Sequence, residues 1–284
     1  MRHLTVKKST GEEQDFIPAK IEAYLEKVQI PKTDIDIVMP KIIDYCEDCL
    51  QKLTTRKIAK KVNSELKKLE NGHLYSARYF LRESLRKMGP SGHYFEDYIG
   101  KLFLAQNYKV EVAVVLNGYC VSHEIDIVAE KEDRINFMEA KFHNRDGIRS
   151  DITVAMYSYA RYEDLSAVVD TGKTTSLWLV TNTKLTQQAI DYSNCKGINV
   201  LNLEYPEGNG IQALAIKHGM YPISSLGPIY SYRKDLYEAG VVTTKDFIAF
   251  ATTNGNILNI PDRKYETALK LAKQIDMNML TSSP

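Results

Sequence analysis

Apolar residues in the first 88 positions recur at helical spacing in four runs. The first follows Pro18, with Ile21, Tyr24 and Leu25 on one side. The second extends from about Thr33 to Leu53. The third starts at Thr54-Thr55, a pair whose hydroxyls suit a helix N-cap, and places Ile58, Val62 and Leu66 on one face. The fourth runs from about His73 to Lys87, where the Gly and Pro of KMGPSG stop it. Ahead of these helices, HLTVKKSTGEEQDF reads as two short β segments turning at Thr10-Gly11.

The pattern then changes. GHYFEDYIGKLFLAQNY is an amphipathic helix with Phe95, Ile99, Leu102 and Phe103 on one side. KVEVAVVLNG, HEIDIVAE and INFMEAKF read as three strands, and DITVAMYSYARYEDLSAV as a helix. SLWLVTN is a continuous apolar run of the kind found in buried central strands. LTQQAIDYSNCKG is a helix closed by Gly197, followed by the strand INVLNL. The order αβββαβαβ predicts an α/β domain with a mixed sheet flanked by helices. From about Pro206 the chain is polar and Gly-rich, then helical. A helix, a turn at Ala239-Gly240-Val241, a helix capped by Thr243 or Thr244, and a last amphipathic helix over DRKYETALKLAKQI complete it. We therefore expect three parts, residues 1–88, 89–205 and 206–284, in a chain of 284 residues.

Composition alters this picture little. Hydrophobic content of 44% and charged content of 26% are those of an ordinary globular protein. No apolar run reaches the roughly 18 residues of a membrane helix, and MRHLTVKKST carries no apolar segment of a signal peptide, so a cytoplasmic location without membrane contact is expected. Four cysteines show no disulfide framework. Cys46-Glu-Asp-Cys49 has zinc-like spacing but lies within a helical pattern, without a second pair at suitable distance. The net charge of +1 neither favours nor excludes a nucleic-acid partner. Locally, Gln51 to Glu70 holds seven Lys/Arg against two Glu, which fits either a basic patch or a solvated helix face.

The chemistry concentrates in EIDIVAEKEDRINFMEAKFHN, Glu124 to Asn144. Strand residues alternate faces, so Asp126 points opposite to Ile125 and Ile127, while Glu139 and Lys141 share a face. If the two strands pair as a hairpin, Asp126, Glu139 and Lys141 converge. Two carboxylates can hold a hard divalent cation such as Mg²⁺, which acidifies bound water and offsets charge on a phosphate. A lysine beside it can hold or deprotonate the attacking water. Glu96, in the preceding helix, could add a third carboxylate. The alternative is a pair of edge strands whose charges face solvent.

In this setting the residues resemble the PD-(D/E)xK restriction-endonuclease-like nucleases, and within them the Mrr-like branch. GHYFEDYIGKLFLAQNY resembles the leading helix, HEIDIVAE the strand bearing the motif Asp, and FMEAKF the (D/E)xK strand. LWLVTNTKLTQQAIDYSNCKGINVLNL resembles the later strand–helix–strand, so the likeness covers roughly residues 90 to 204. It implies Asp126 and Glu139 as ligands of Mg²⁺ or Mn²⁺, Lys141 as the catalytic lysine, Glu96 as an accessory acid, and hydrolysis of DNA phosphodiesters. Many members carry Gln in the helix after the lysine strand, where this chain has Tyr157, Tyr159 and Arg161. Either Arg161 or Tyr157 replaces that DNA contact, or turnover is slow or tightly gated. His123 is open to a structural or a catalytic role.

Residues 1–88 resemble the ATP-cone, a mostly helical regulatory nucleotide-binding domain, through VKKSTGEEQDFIPAKI, LTTRKIAKKV and YSARYFLRESLRK. That resemblance implies ATP or dATP as an allosteric ligand, held by Lys7, Lys8, Lys20, Thr55 and Arg86. Ser9-Thr10 stand where the family has Arg-Asp. The other reading is a helical dimerisation or DNA-docking domain. LYEAGVVTTKDFIAF resembles half of a helix-hairpin-helix unit, whose turn can present backbone N–H groups to a DNA phosphate. Lys234, Lys245 and Arg263 are nearby cations, and packing or dimerisation is the competing role. Together these features predict a nucleotide-regulated, metal-dependent DNA endonuclease working as a homodimer or larger. The alternatives are a nucleotide-responsive DNA-binding regulator with an inactive nuclease fold, or a repair or recombination nuclease for branched DNA.

Overall fold

The structure, a computed structural model, describes residues 4–8, 11–49, 53–89, 91–145, 147–169 and 172–281. Ser9 and Thr10, and with them the start of the expected turn, lie outside the described residues. The chain divides into two compact units, 1–80 with 273–284, and 81–272.

In the first unit, strands β1 (Thr5–Lys7) and β2 (Glu13–Asp15) pair antiparallel as expected. Helix α1 (Pro18–Lys27) starts at the helix-compatible proline. Helix α2 (Lys32–Asp48) ends before the expected Leu53, because Leu53 and Thr54 form β3, a strand parallel to β1. Helix α3 (Thr55–Leu66) is capped by Thr54, whose hydroxyl accepts from the Lys57 N–H at 3.2 Å; Thr55 is the first helical residue, not the cap. The predicted fourth helix is two, α4 (Gly72–Tyr79) and α5 (Leu81–Arg86), since Phe80 leaves helical backbone at φ −97° and ψ 11°. Leu25, Ile35, Ile42, Val62, Leu66 and Leu74 are buried. Fully burying a side chain of this kind contributes about 1.5–3 kcal/mol. Cys46 joins this core as a free thiol, which agrees with the structural reading of the Cys-x-x-Cys spacing.

The second unit begins with α5 and is built on a five-stranded sheet. Helix α6 (His93–Leu104) leads to β4 (Lys109–Asn117), β5 (Ser122–Lys131) and β6 (Arg134–Lys141). After the two-residue β7 (Arg149–Ser150) come α7 (Ile152–Ser166), β8 (Thr174–Thr181), the two-residue β9 (Lys184–Leu185), α8 (Gln187–Lys196) and β10 (Asn199–Asn202). The order across the sheet is β10–β8–β6–β5–β4. The first three strands are mutually parallel, and β5 and β4 continue antiparallel, so the sheet is mixed as predicted. SLWLVTN is β8, an inner strand.

Helices cover both faces. Phe103 of α6 meets Trp178 edge-on, with ring centroids 6.0 Å apart. On the opposite face Ala155 of α7 and Ala189 of α8 pack with Leu177, Leu179, Ile198 and Val200. Leu177 and Leu179 flank Trp178, so strand alternation sends them to the other helices. Phe95, Tyr98 and Ile99 of α6 are fully buried.

The segment after β10, expected to be polar and Gly-rich ahead of its helices, already contains α9 (Ile211–His218). Ile211, Leu214, Ala215 and Ile216 are all buried, so this helix lacks the amphipathic stripe that a sequence pattern reveals. Helices α10 (Arg233–Glu238), α11 (Thr244–Asn254) and α12 (Asp262–Thr281) follow. Thr243, rather than Thr244, caps α11 in a reciprocal pair with Asp246. Asp246 also bonds Lys101 of α6 at 2.9 Å, and the Tyr98 hydroxyl donates to the Met220 carbonyl at 2.7 Å. The region up to Ala272 is thereby part of the sheet's own unit.

The hairpin between α10 and α11 differs from the DNA-contacting expectation. The Gly240 N–H donates to the Tyr237 carbonyl and the Val241 N–H to that of Leu236. The Val242 and Thr243 N–H groups bond Asp246, and that of Thr244 bonds the Tyr221 carbonyl. Every backbone donor of the turn is consumed internally, which leaves a packing role. Among the described residues no helix is long and apolar enough to cross a membrane.

Candidate active site

The β5–β6 ladder supplies the scaffold. Its backbone pairing includes Ile127 opposite Met138, Val128 opposite Phe137, and on to Lys131 opposite Arg134. One step beyond Ile127, the Asp126 side chain takes over: Oδ2 accepts the Ala140 N–H at 2.7 Å. A carboxylate thus continues the ladder where the two strands part. Glu139 and Lys141 share a face of β6 by alternation, and the charges of Glu139, Lys141 and Arg161 act on the Asp126 carboxyl where the strands part.

Glu139 is 6% exposed, and three donors hold it. The Tyr157 hydroxyl donates to Oε1, Arg161 donates to Oε2 at 2.8 Å, and Lys141 Nζ lies 2.6 Å from Oε1. Tyr157 and Arg161 sit four residues apart on α7 and so share a helix face. The Lys141 ammonium also lies over the Tyr157 ring, 5.5 Å from its centroid.

This packing sets the charge states. Burial, with the nearby charge of Glu139 second, lifts the Asp126 carboxyl to about 6. Burial lifts Glu96 to about 7, with Asp126, Asp97 and Glu139 adding to it. Burial lowers Lys141, but its hydrogen bonds to Glu139 and Tyr157 outweigh that and keep it above the usual lysine range. Lys141 is consequently a held cation and a poor proton acceptor. Burial first, then the bond to Glu139, raises Tyr157 to about 12.

Comparison with known proteins bears on this part of the chain through a family model. Residues 85–204 match the Mrr catalytic family, described as "Restriction endonuclease". An uncharacterized protein of Archaeoglobus fulgidus is 30% identical over 177 residues, which cover 62% of this chain and 99% of that one. The crystal structure of a protein of unknown function aligns with a TM-score of 0.56 and 28% identity, over 66% of this chain and all of that one. Residues 85–204 belong to the Mrr catalytic family. Its Mrr-type domain carries the nuclease-like sheet, and the family supports a nuclease.

Within the Mrr-type domain, the four residues predicted from the sequence come together: Glu139 and Lys141 as neighbours on β6, Asp126 through its bond to the Ala140 N–H, and Glu96 within reach of the charges of the other three. Among the described residues no group of three or more His, Cys, Asp and Glu side chains stands at metal-binding spacing. The donor set still fits a hard cation in kind. Burial first and the charge of Glu139 second raise Asp126, and a divalent cation would relieve the repulsion between the two carboxylates. The Asp126 hydrogen bond uses Oδ2, and each carboxylate oxygen has two lone pairs, so oxygen donors remain.

Tyr157 and Arg161, the residues standing where the family carries its Gln, bond Glu139. Their spacing of four on one helix was the signal available in the sequence. His123 is bound to Asp164 at 2.7 Å, and Asp164 also accepts the Cys120 N–H at 2.8 Å. That places His123 in the anchor between the β4–β5 turn and α7. The hydrogen bond from His123 is the main cause that lowers Asp164 to about 2. Asp164 itself left no mark in the sequence pattern, because its partners are some 40 residues away.

The residues expected to hold a nucleotide divide between the units. Lys7, Lys8, Lys20 and Thr55 lie in the first, where Lys7 is in register with Thr54 on β3 and Lys8 pairs with Glu12 at 2.9 Å. Arg86 lies in the second and lines a cavity there.

Proposed function

We propose that this protein is a metal-dependent DNA endonuclease whose cutting is regulated by ATP or dATP. The observation that carries the reading is that Asp126, bonded to the Ala140 N–H, meets the charges of the paired Glu139 and Lys141 where β5 and β6 part. Asp126 and Glu139 would hold Mg²⁺ or Mn²⁺. The cation supplies Lewis-acid charge and lowers the pKa of a bound water. Lys141, kept charged by Glu139 and Tyr157, orients the phosphate and offsets the charge that builds on it. Glu96, near half-ionised at neutral pH, takes a proton from the attacking water or returns one to the leaving 3′ oxygen. Arg161 and Tyr157 fix the orientation of Glu139. One such site cuts one strand, so double-strand cleavage calls for two copies of the chain.

The N-terminal unit supports the regulatory half of the reading. Pairing of β1 with β3 sets Lys7 beside the N-terminus of α3, where backbone donors and a cation favour a phosphate. A second reading, a DNA-binding regulator that does not cut, draws on the full engagement of Glu139 by its three donors. Incubation of plasmid with protein and Mg²⁺, beside Lys141→Ala and Asp126→Ala, separates the two. Cutting by the parent and by neither variant is expected. Equal cutting by all three would expose a contaminant, and binding without cutting in every condition would establish the regulator.

A further inference from the structure

A cavity of about 250 Å³ opens at the carboxyl ends of the three parallel strands. His143 and Arg145 follow β6, Asn182 and Thr183 follow β8, and Leu203 and Glu204 follow β10. Open α/β sheets bind ligands at this end of parallel strands. Among the described residues the lining is strongly unbalanced: Arg82, Arg86, Arg145, Arg149 and Lys184 stand with one carboxylate, Glu204. Arg82 already bonds Glu204 at 2.7 Å. Arg145, Arg149 and Lys184 share this concave site, and their like charge favours an entering anion.

The walls are built rather than loose. Asn182, 8% exposed, donates to the His143 carbonyl at 2.8 Å and accepts the His143 N–H at 2.8 Å. This reciprocal pair locks the loop after β6 to the loop after β8. His143 Nε2 lies 3.2 Å from the Ser150 hydroxyl, which ties in the β7 segment. Ile148 and Leu203 add apolar surface between the cations. Arginine forks match phosphate oxygens, and apolar walls suit a sugar or a base.

We propose that this cavity binds one nucleotide through a terminal phosphate monoester, presented by a nucleic-acid end. Its volume suits a single nucleotide, and a duplex, whose major groove alone is about 12 Å wide, cannot enter. The cavity wall at His143 is two residues beyond Lys141, so a strand end held there lies beside the cutting residues. The inference deepens the nuclease reading and rests on it for the source of the nucleotide; a free nucleotide carries the same phosphate chemistry.

The test reads binding alone. In a Lys141→Ala background, fluorescence anisotropy compares short single-stranded oligonucleotides ending in a 5′-phosphate, a 3′-phosphate or hydroxyls only, with AMP and inorganic phosphate as competitors. A phosphate end is expected to bind about tenfold tighter or more than a hydroxyl end. Arg145→Ala/Arg149→Ala should remove that preference, and so, in part, should Lys184→Gln. Arg145 and Arg149 are exposed, and unchanged melting temperatures verify that the variants fold. Displacement by AMP with no preference among ends assigns the same site to free nucleotides. Equal affinity for all ends without AMP competition overturns the proposal, as does a preference that survives both variants. Because cleavage is not measured, a protein that never cuts plasmid still passes or fails this test.

Discussion

At the residue scale, the site is organised around one buried carboxylate with three donors and one half-buried carboxylate that repels it. Arg161 and the Tyr157 hydroxyl both donate to the Glu139 carboxylate, but only Arg161 brings a compensating charge. Bonds to charged groups contribute about 1.5–3 kcal/mol, and a buried charge stripped of its ionic partner costs more, about 3–5 kcal/mol. Arg161→Ala is therefore expected to lower stability and cutting more than Tyr157→Phe, as read by urea unfolding and plasmid turnover. Equal effects would deny the grip on Glu139. Asp126 carries the pH dependence. Its pKa is about 6 in the fold against about 3.9 in an unfolded chain. The folded protein then holds more protons between those values, so without a cation stability falls as pH rises from about 4 to about 6. A divalent cation prefers the ionised pair. The rise in melting temperature on adding Mg²⁺ should grow as pH climbs through about 6, and further as Glu96 ionises near 7. Asp126→Asn should flatten that profile; an unchanged profile would remove Asp126 from the cation site.

Elements hold these residues through few, specific ties. The β4–β5 turn is anchored on α7 by Asp164, which takes His123 and two backbone N–H groups. Gly118 makes that approach possible: a Cβ there would fall on Asp164 Oδ2 and 2.8 Å from the Val121 carbonyl oxygen. Gly118→Ala should cost about 1–3 kcal/mol in urea unfolding, as overpacking does elsewhere. A neutral result would mean that the turn shifts without loss. Elements were legible in the sequence where period and capping agreed, as in β4 to β6, α3 and α8 closed by Gly197 at φ 67°. They were illegible where burial was uniform, as in α9, or where a partner strand imposed extension, as at Leu53-Thr54.

For the whole molecule, the question is whether nucleotide on the N-terminal unit changes cutting by the other. A coupling of about 1–3 kcal/mol gives about 5- to 150-fold. ATP or dATP is expected to alter plasmid cutting within that range, and Lys20→Ala to weaken the response. A response that survives Lys20→Ala unchanged would move the nucleotide elsewhere. The C-terminal helices up to Ala272 belong to the sheet's unit, through Asp246 with Lys101 and Met220 with Tyr98, which directs attention for DNA contact away from their hairpin.

The sequence by itself determined the order of the longer helices and strands from α6 to β10, the mixed sheet, and the shared face of Glu139 and Lys141. Those depend on local period and on alternation along one strand, which neighbouring residues settle. Tertiary structure alone decided that α7 grips Glu139, that the hairpin donors are spent internally, and that three strand ends enclose a basic cavity. Each of these joins residues tens of positions apart, and only packing in three dimensions sets which of them meet.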